Sequence, residues 1–160
     1  FHAAKCGCSD NPRVKEEFTL KGKVGNRPED AKRAGGRKGF ESLGARLDKE
    51  KWDEVKLKEM RKILEARWEQ HPEFKEVLCA LYPHIKNDNW YLLHFERSGK
   101  KSEWGGTYSA DVGVKGQNLL GRLLMQLVAT KLESKKRKKE EYDDACNARA
   151  VSPALKCARK

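Results

Sequence analysis
The chain has 160 residues, with 35 Lys+Arg against 24 Asp+Glu, a formal net charge of +11 and a mean hydropathy of −0.89. That length is one domain's worth, and no apolar run approaches the roughly 20 residues of a membrane-spanning helix, so no membrane association is expected. The cationic excess favours a polyanionic partner or a phosphate-bearing ligand.

The first residues lack the basic and apolar regions of a secretory signal, so the expected setting is intracellular, cytoplasmic or nuclear. The five cysteines are odd in number and lack paired zinc spacing, which reads as reduced thiols. Cys6-Gly7-Cys8 has no His or Cys pair to complete it. Neither a metal nor a cofactor is expected.

In chain order, Phe1-His2-Ala3-Ala4-Lys5 reads as helix interior with no cap before it, ended by Gly7. With no initiating Met, the chain reads as a fragment whose upstream part is missing. Asp10-Asn11-Pro12 opens a second short helix to about Leu20, with Val14 and Phe18 on its apolar side. Residues 22–26 form a turn-rich connection. Pro28 to Arg33 makes one or two helical turns, broken by Gly35-Gly36-Arg37.

From Asp48 to Gln70, Trp52, Val55, Met60, Ile63, Leu64 and Trp68 keep one apolar stripe, read as core. Pro72 opens a further helix with Phe74, Val77, Leu78 and Leu81 facing inward. After a turn at Asn87-Asp88-Asn89, the β-favouring run Trp90 to Glu96 reads as a strand. The last major helix spans about Asn118 to Lys135 on a leucine-rich stripe. Beyond it, Lys135-Lys136-Arg137-Lys138-Lys139 runs into Glu140-Glu141-Tyr142-Asp143-Asp144, a solvated extension held by i,i+4 pairs, with a loose tail past about Ala145. A nucleic-acid patch is the sharper reading of that basic run. No internal repeat is present.

Two stretches carry chemistry. Trp104-Gly105-Gly106 offers an aromatic plane and two glycine N–H groups, and the helix opening at Gly116-Gln117-Asn118 has unpartnered N–H groups suited to a phosphate. Asn118 either caps that helix or donates its amide to a ligand. Gly121 inside the helix implies close packing against a neighbour or ligand. Lys5, on one helix face with Phe1, is a candidate for desolvation, which frees an amine as nucleophile or base. His94 and Glu96 share one side of the expected strand, as a site wall or a solvated face; Glu103 is a weaker acid/base candidate.

The ordered set of Phe1-His2-Ala3-Ala4-Lys5, Pro28-Glu29-Asp30-Ala31-Lys32-Arg33-x-Gly35, Trp52 with Met60, Trp68-Glu69-Gln70-His71-Pro72-Glu73, Trp104-Gly105-Gly106 and Gly116-Gln117-Asn118-Leu119-Leu120-Gly121-Arg122-Leu123-Leu124-Met125 resembles the NADAR family, also called YbiA-like. The likeness extends from Phe1 to about Val128. It implies a mainly α-helical α+β fold, a single compact domain over residues 1–130 with a small β component, followed by the charged extension at 131–160.

It also implies an N-glycosidase. Members remove ADP-ribose from guanine bases or hydrolyse ribosylamino-pyrimidine phosphate intermediates of riboflavin synthesis, and a non-catalytic ADP-ribose-binding module is a third possibility. Partners would be ADP-ribose or a nucleotide-like ligand, and ADP-ribosylated DNA. Lys5 falls on the family's Schiff-base lysine and Glu96 on a recurring acidic position. Phe1, Arg37, Trp104, Gly105, Gly106 and Asn118 form the substrate-contacting set; Arg37 and Lys32 read as phosphate contacts or, more simply, as a solvated basic loop. The chain departs from the pattern at two places: it begins after the family's usual upstream Glu, and Lys101 stands where many members carry Asp.

Overall fold
The computed structural model of the chain describes residues 1–97 and 102–150, the side chains of 143–150 excepted. It is mainly helical, with six α-helices, two 3-10 helices and one two-stranded antiparallel sheet among the described residues. No helix among them is long and apolar enough to cross a membrane. The chain divides into two compact units, Phe1–Gln70 and a second from His71 onward.

The first unit opens with α1 (His2–Lys5), which leads directly into a 3-10 turn at Cys6–Cys8. The second short helix expected after Asp10 is present as a 3-10 helix at Pro12–Phe18. Pro12 fixes φ and removes one N–H there, and seven residues build little α-helical hydrogen bonding. After α2 (Pro28–Ala34), the Gly35-Gly36 break gives rise to another helix, α3 (Arg37–Ser42), which the sequence pattern did not announce. Helix α4 (Lys49–Gln70) follows, burying Trp52, Leu64 and Trp68 as the stripe requires. Cys6, Val14, Phe40 and Ala45 form the core, with Phe18, Leu43 and Leu47 packed around it. A lone bridge, Ser9 to Leu47, ties the 3-10 region to the start of α4.

The second unit pairs α5 (Pro72–Asn87) with α6 (Leu119–Ala150). Pro72 occupies the first turn of α5 and Leu78 is buried. Val77, expected inward, is 58% exposed, because adjacent residues on a helix sit about 100° apart and Leu78 takes the core direction. The α5 end is closed by His84, which bonds Asp88 at 2.8 Å and stacks on Trp90 at 4.6 Å.

The run Trp90 to Glu96 is extended without becoming a strand; it makes one parallel bridge, Phe95 to Gly106. Its composition favours a pleated surface, yet β structure needs a partner edge along its length, and Phe95 is left 64% exposed. The sheet lies elsewhere, in β1 (Thr107–Ser109) and β2 (Gly113–Lys115), where Tyr108 pairs with Val114. Helix α6 runs past the expected Lys135 to Ala150. Its charged stretch is rich in good helix formers and carries the Lys136–Glu140 ion pair.

Candidate active site
The chemistry of the first unit centres on Lys5. As expected from i,i+4 spacing, Phe1 and Lys5 share a side of α1, with Nζ 5.9 Å from the Phe1 ring centroid. Spacing gave no hint of the other two neighbours. Trp52, from α4, lies with its ring centroid 5.7 Å from the same nitrogen and meets Phe1 edge-on at 5.0 Å. Nζ donates to the carbonyl oxygen of Gly35 at 3.0 Å, thirty residues away. Burial pushes the Lys5 amine below the ordinary lysine range. The ring faces and the carbonyl favour the ammonium and offset part of that penalty.

His2 shares this environment. Its Nδ1 is buried with no hydrogen-bond partner, and its ring packs so closely on Gly35 that a Cβ there would collide with it. Burial is the main reason its pKa falls to about 4, with Lys5, the terminal amine and Lys32 adding repulsion. The ring is therefore a neutral imidazole at physiological pH. Arg37 sits in the first turn of α3, its side chain 92% exposed and paired with Glu41 at 3.6 Å. Lys32 is exposed on α2.

In the second unit, the expected ligand-facing N–H groups already have partners. Gln117, Asn118, Leu119 and Leu120 donate to the carbonyls of Ser102, Gly105, Glu103 and Trp104, at 3.0 to 3.1 Å. The Trp104 loop thus caps α6 and takes up the N–H groups of Asn118, Leu119 and Leu120 that a phosphate would use. Gly105 donates to Ser102 Oγ at 3.0 Å and Gly106 to the His94 carbonyl at 2.9 Å. Both glycines are buried, and a Cβ would come within 2.5 Å of the His94 carbonyl at Gly105 and 2.6 Å of the Lys115 carbonyl at Gly106. Neighbouring backbone accounts for their being glycine. The Trp104 side chain is half-buried.

Asn118 is buried and left-handed, at φ +48°. Its Oδ1 accepts from the His94 N–H at 3.0 Å, and its Nδ2 donates to the Leu92 carbonyl at 2.7 Å. The side chain is a clamp on the extended segment. Gly121 lies beneath it, where any Cβ would strike the Leu92 carbonyl; the inference of close packing there has a neighbour as its cause. The clamped segment presents His94 and Glu96 together, Nε2 and Oε1 3.3 Å apart. Glu103 is half-buried nearby in sequence, and Lys101 lies outside the described residues.

Lys5, Phe1 and Arg37 therefore belong to the first unit, and Glu96, Trp104, Gly105, Gly106 and Asn118 to the second. Within the first, Lys5 and Phe1 are brought together; within the second, Glu96 is joined to Gly105, Gly106 and Asn118 through backbone bonds. Sequence reasoning missed three contributors, Trp52, Gly35 and His2. Trp52 was legible only as a core position. The other two act through contacts distant in sequence or through an unmet hydrogen bond.

A stretch of 81 residues is 36% identical to proteins named N-glycosidase YbiA from Escherichia coli (strain K12), Shigella boydii serotype 4 and Shigella sonnei. In each case the match covers 48% of this chain and 40% of the relative, so the chain spans about two fifths of the length of the curated relatives it matches. No family model matches the chain, and no solved structure does.

Proposed function
We propose that this chain, YbiA/NADAR-like by the stretch it shares with those N-glycosidases, cleaves the ribose C1′–N bond of an ADP-ribosylated guanine base. The observation that carries the reading is the Lys5 amine: desolvated, flanked by Phe1 and Trp52, and seated at the lysine of the aromatic-x-Ala-x-Lys helix. A lowered pKa enlarges the neutral, nucleophilic fraction at physiological pH.

In this reading the neutral Lys5 nitrogen bonds to C1′ as the C1′–N bond to guanine breaks. The electron pair leaves with the base, which takes a proton from a general acid, a role the resemblance gives to Glu96 or to the family's upstream Glu. The ribose ring then opens to a lysine iminium as the C1′–O4′ bond breaks and O4′ takes the proton that Nζ sheds. Water adds at C1′, its proton restoring the general acid, and the carbinolamine collapses to the aldehyde of ADP-ribose as the hydroxyl proton passes to nitrogen and neutral Lys5 leaves. The Gly35 carbonyl accepts a hydrogen bond from Nζ, which leaves the lone pair of the neutral amine available. Trp104 stacks on the base or ribose, and Arg37 and Lys32 supply phosphate contacts. The helix start at Gly116 to Asn118 plays no phosphate-binding part through the N–H groups of Gln117 to Leu120, since these are already bonded.

The test is release of ADP-ribose from ADP-ribosylated guanine DNA, with borohydride added to a parallel sample to reduce the iminium. Expected are release by the parent, a trapped covalent adduct on Lys5, and loss of both in Lys5→Ala. Release unchanged in Lys5→Ala overturns the lysine mechanism. Turnover of a ribosylamino-pyrimidine phosphate in place of the guanine adduct moves the same chemistry to the other substrate class.

A further inference from the structure
Beside the start of α6, on the second unit, lies a recess of about 220 Å³ that the proposed chemistry does not use. Its apolar walls are Val114 of β2 and Met125 of α6, and Tyr91 adds an aromatic ring that is 43% exposed. Asn118 also lines it, its amide already bonded to the Leu92 carbonyl and the His94 N–H, and two exposed polar side chains complete it, the Gln117 carboxamide and the Arg122 guanidinium, neither with a protein partner among the described residues. No carboxylate lines it. Gly116 forms part of its rim at φ +106°, a backbone conformation that L side chains rarely adopt.

These groups select a chemistry. An aromatic ring and a thioether offer flat, polarizable contact for a heteroaromatic ring. A carboxamide presents donor and acceptor together, as a purine edge requires. An unpaired guanidinium in a recess free of carboxylates favours an anion, and its fork matches phosphate oxygens. The N–H groups of Gln117 to Leu120 cannot substitute for it, being bonded to the Trp104 loop. The volume lies below the ~300 Å³ at which drug-sized pockets begin, which suits a single ring system with one phosphate rather than a dinucleotide.

We propose that this recess binds a purine mononucleotide, with the base against Tyr91 and Met125, its edge read by Gln117 and its phosphate held by Arg122. The recess is built wholly from the second unit, and the proposal does not depend on the lysine chemistry.

The sequence supplies a reporter, since the chain has two methionines, Met60 on α4 and Met125 in the recess. With ¹³C-methyl methionine in the full chain, titration with GMP is expected to shift the Met125 signal saturably and leave Met60 in place. Arg122→Ala should weaken the GMP midpoint about tenfold or more, with Arg122→Lys in between, while leaving guanosine nearly unaffected. Tyr91→Ala should weaken both. Both side chains are exposed, so these variants retain the fold. Lys5→Ala should keep the Met125 response while losing the borohydride adduct, which separates failure of this site from failure of the glycosidase reading. The proposal is overturned if Met125 does not respond to GMP, if inorganic phosphate shifts it at the same concentration as GMP, or if Arg122→Ala and Tyr91→Ala leave the midpoint unchanged.

Discussion
The surroundings of Lys5 and of Asn118 differ in how far their polar groups are matched. Around Lys5 an amine is desolvated between two aromatic rings, and the buried Nδ1 of His2, three residues before it, has no partner. Around Asn118 the amide oxygen, the amide nitrogen and four successive backbone N–H groups are all bonded. Unmatched groups store free energy that chemistry can draw on, whereas matched ones fix geometry. A Trp-Gly-Gly stretch followed by a helix-opening Asn has the look of a ligand cradle, and in this fold it is chiefly a device for holding Leu92 to Glu96 in place.

The sharpest way to break this contrast is to exchange the expected effects. Lys5→Met should lower ADP-ribose release by about 100-fold or more, as loss of a nucleophile does, while shifting the urea midpoint little or upward, since it removes a desolvated charge. Asn118→Ala should do the reverse to stability, leaving the Leu92 carbonyl and His94 N–H unbonded at a cost of about 2–4 kcal/mol by urea unfolding. A midpoint unmoved in Asn118→Ala would show that its amide does not serve as a clamp.

Next in size is Gly35→Ala. The new methyl collides with the His2 ring, and overpacking of that kind costs about 1–3 kcal/mol; displacement of the Gly35 carbonyl, which favours the ammonium, should also lower the Lys5 pKa further, read from the pH dependence of borohydride trapping.

A smaller effect comes from pH. The folded His2 pKa is about 4 against an ordinary value of 6.5, so between those values the unfolded chain binds more protons. Stability should therefore fall as pH drops through that window and level off below it. His2→Phe should flatten this slope in urea melts taken from pH 4 to 7. Smallest of all, Val77→Ser should change stability by no more than about 0.5 kcal/mol, because the side chain is solvated.

What the sequence made legible was whatever rests on local periodicity. The α4 stripe, the Pro72 start of α5 and the leucine face of α6 follow from the helical repeat, and Phe1 beside Lys5 follows from i,i+4 spacing. The hairpin escaped because Ala110-Asp111-Val112 carries no strong turn dipeptide and each strand has three residues. The strand expected at Trp90 to Glu96 failed for the opposite reason, its composition being right while its partner edge is confined to Gly106. Trp52 and Gly35 as neighbours of the amine were beyond reach, since a carbonyl thirty residues away has no local signature. The glycines of the Trp104 loop were visible but open to two explanations, approach of a ligand or of backbone, and the positions of the His94 and Lys115 carbonyls decide for backbone.

The four carbonyls of Ser102 to Gly105 that cap α6 also bear on motion. A loop swings freely only if its backbone bonds are made to water or within itself; this one is stitched to the first turn of a 32-residue helix. Lifting Trp104 by its backbone would require that turn to unwind and four bonds to break together. Trp104 is therefore a fixed wall, and hydrogen exchange should show the amides of Gln117 to Leu120 opening as one unit, with or without ligand.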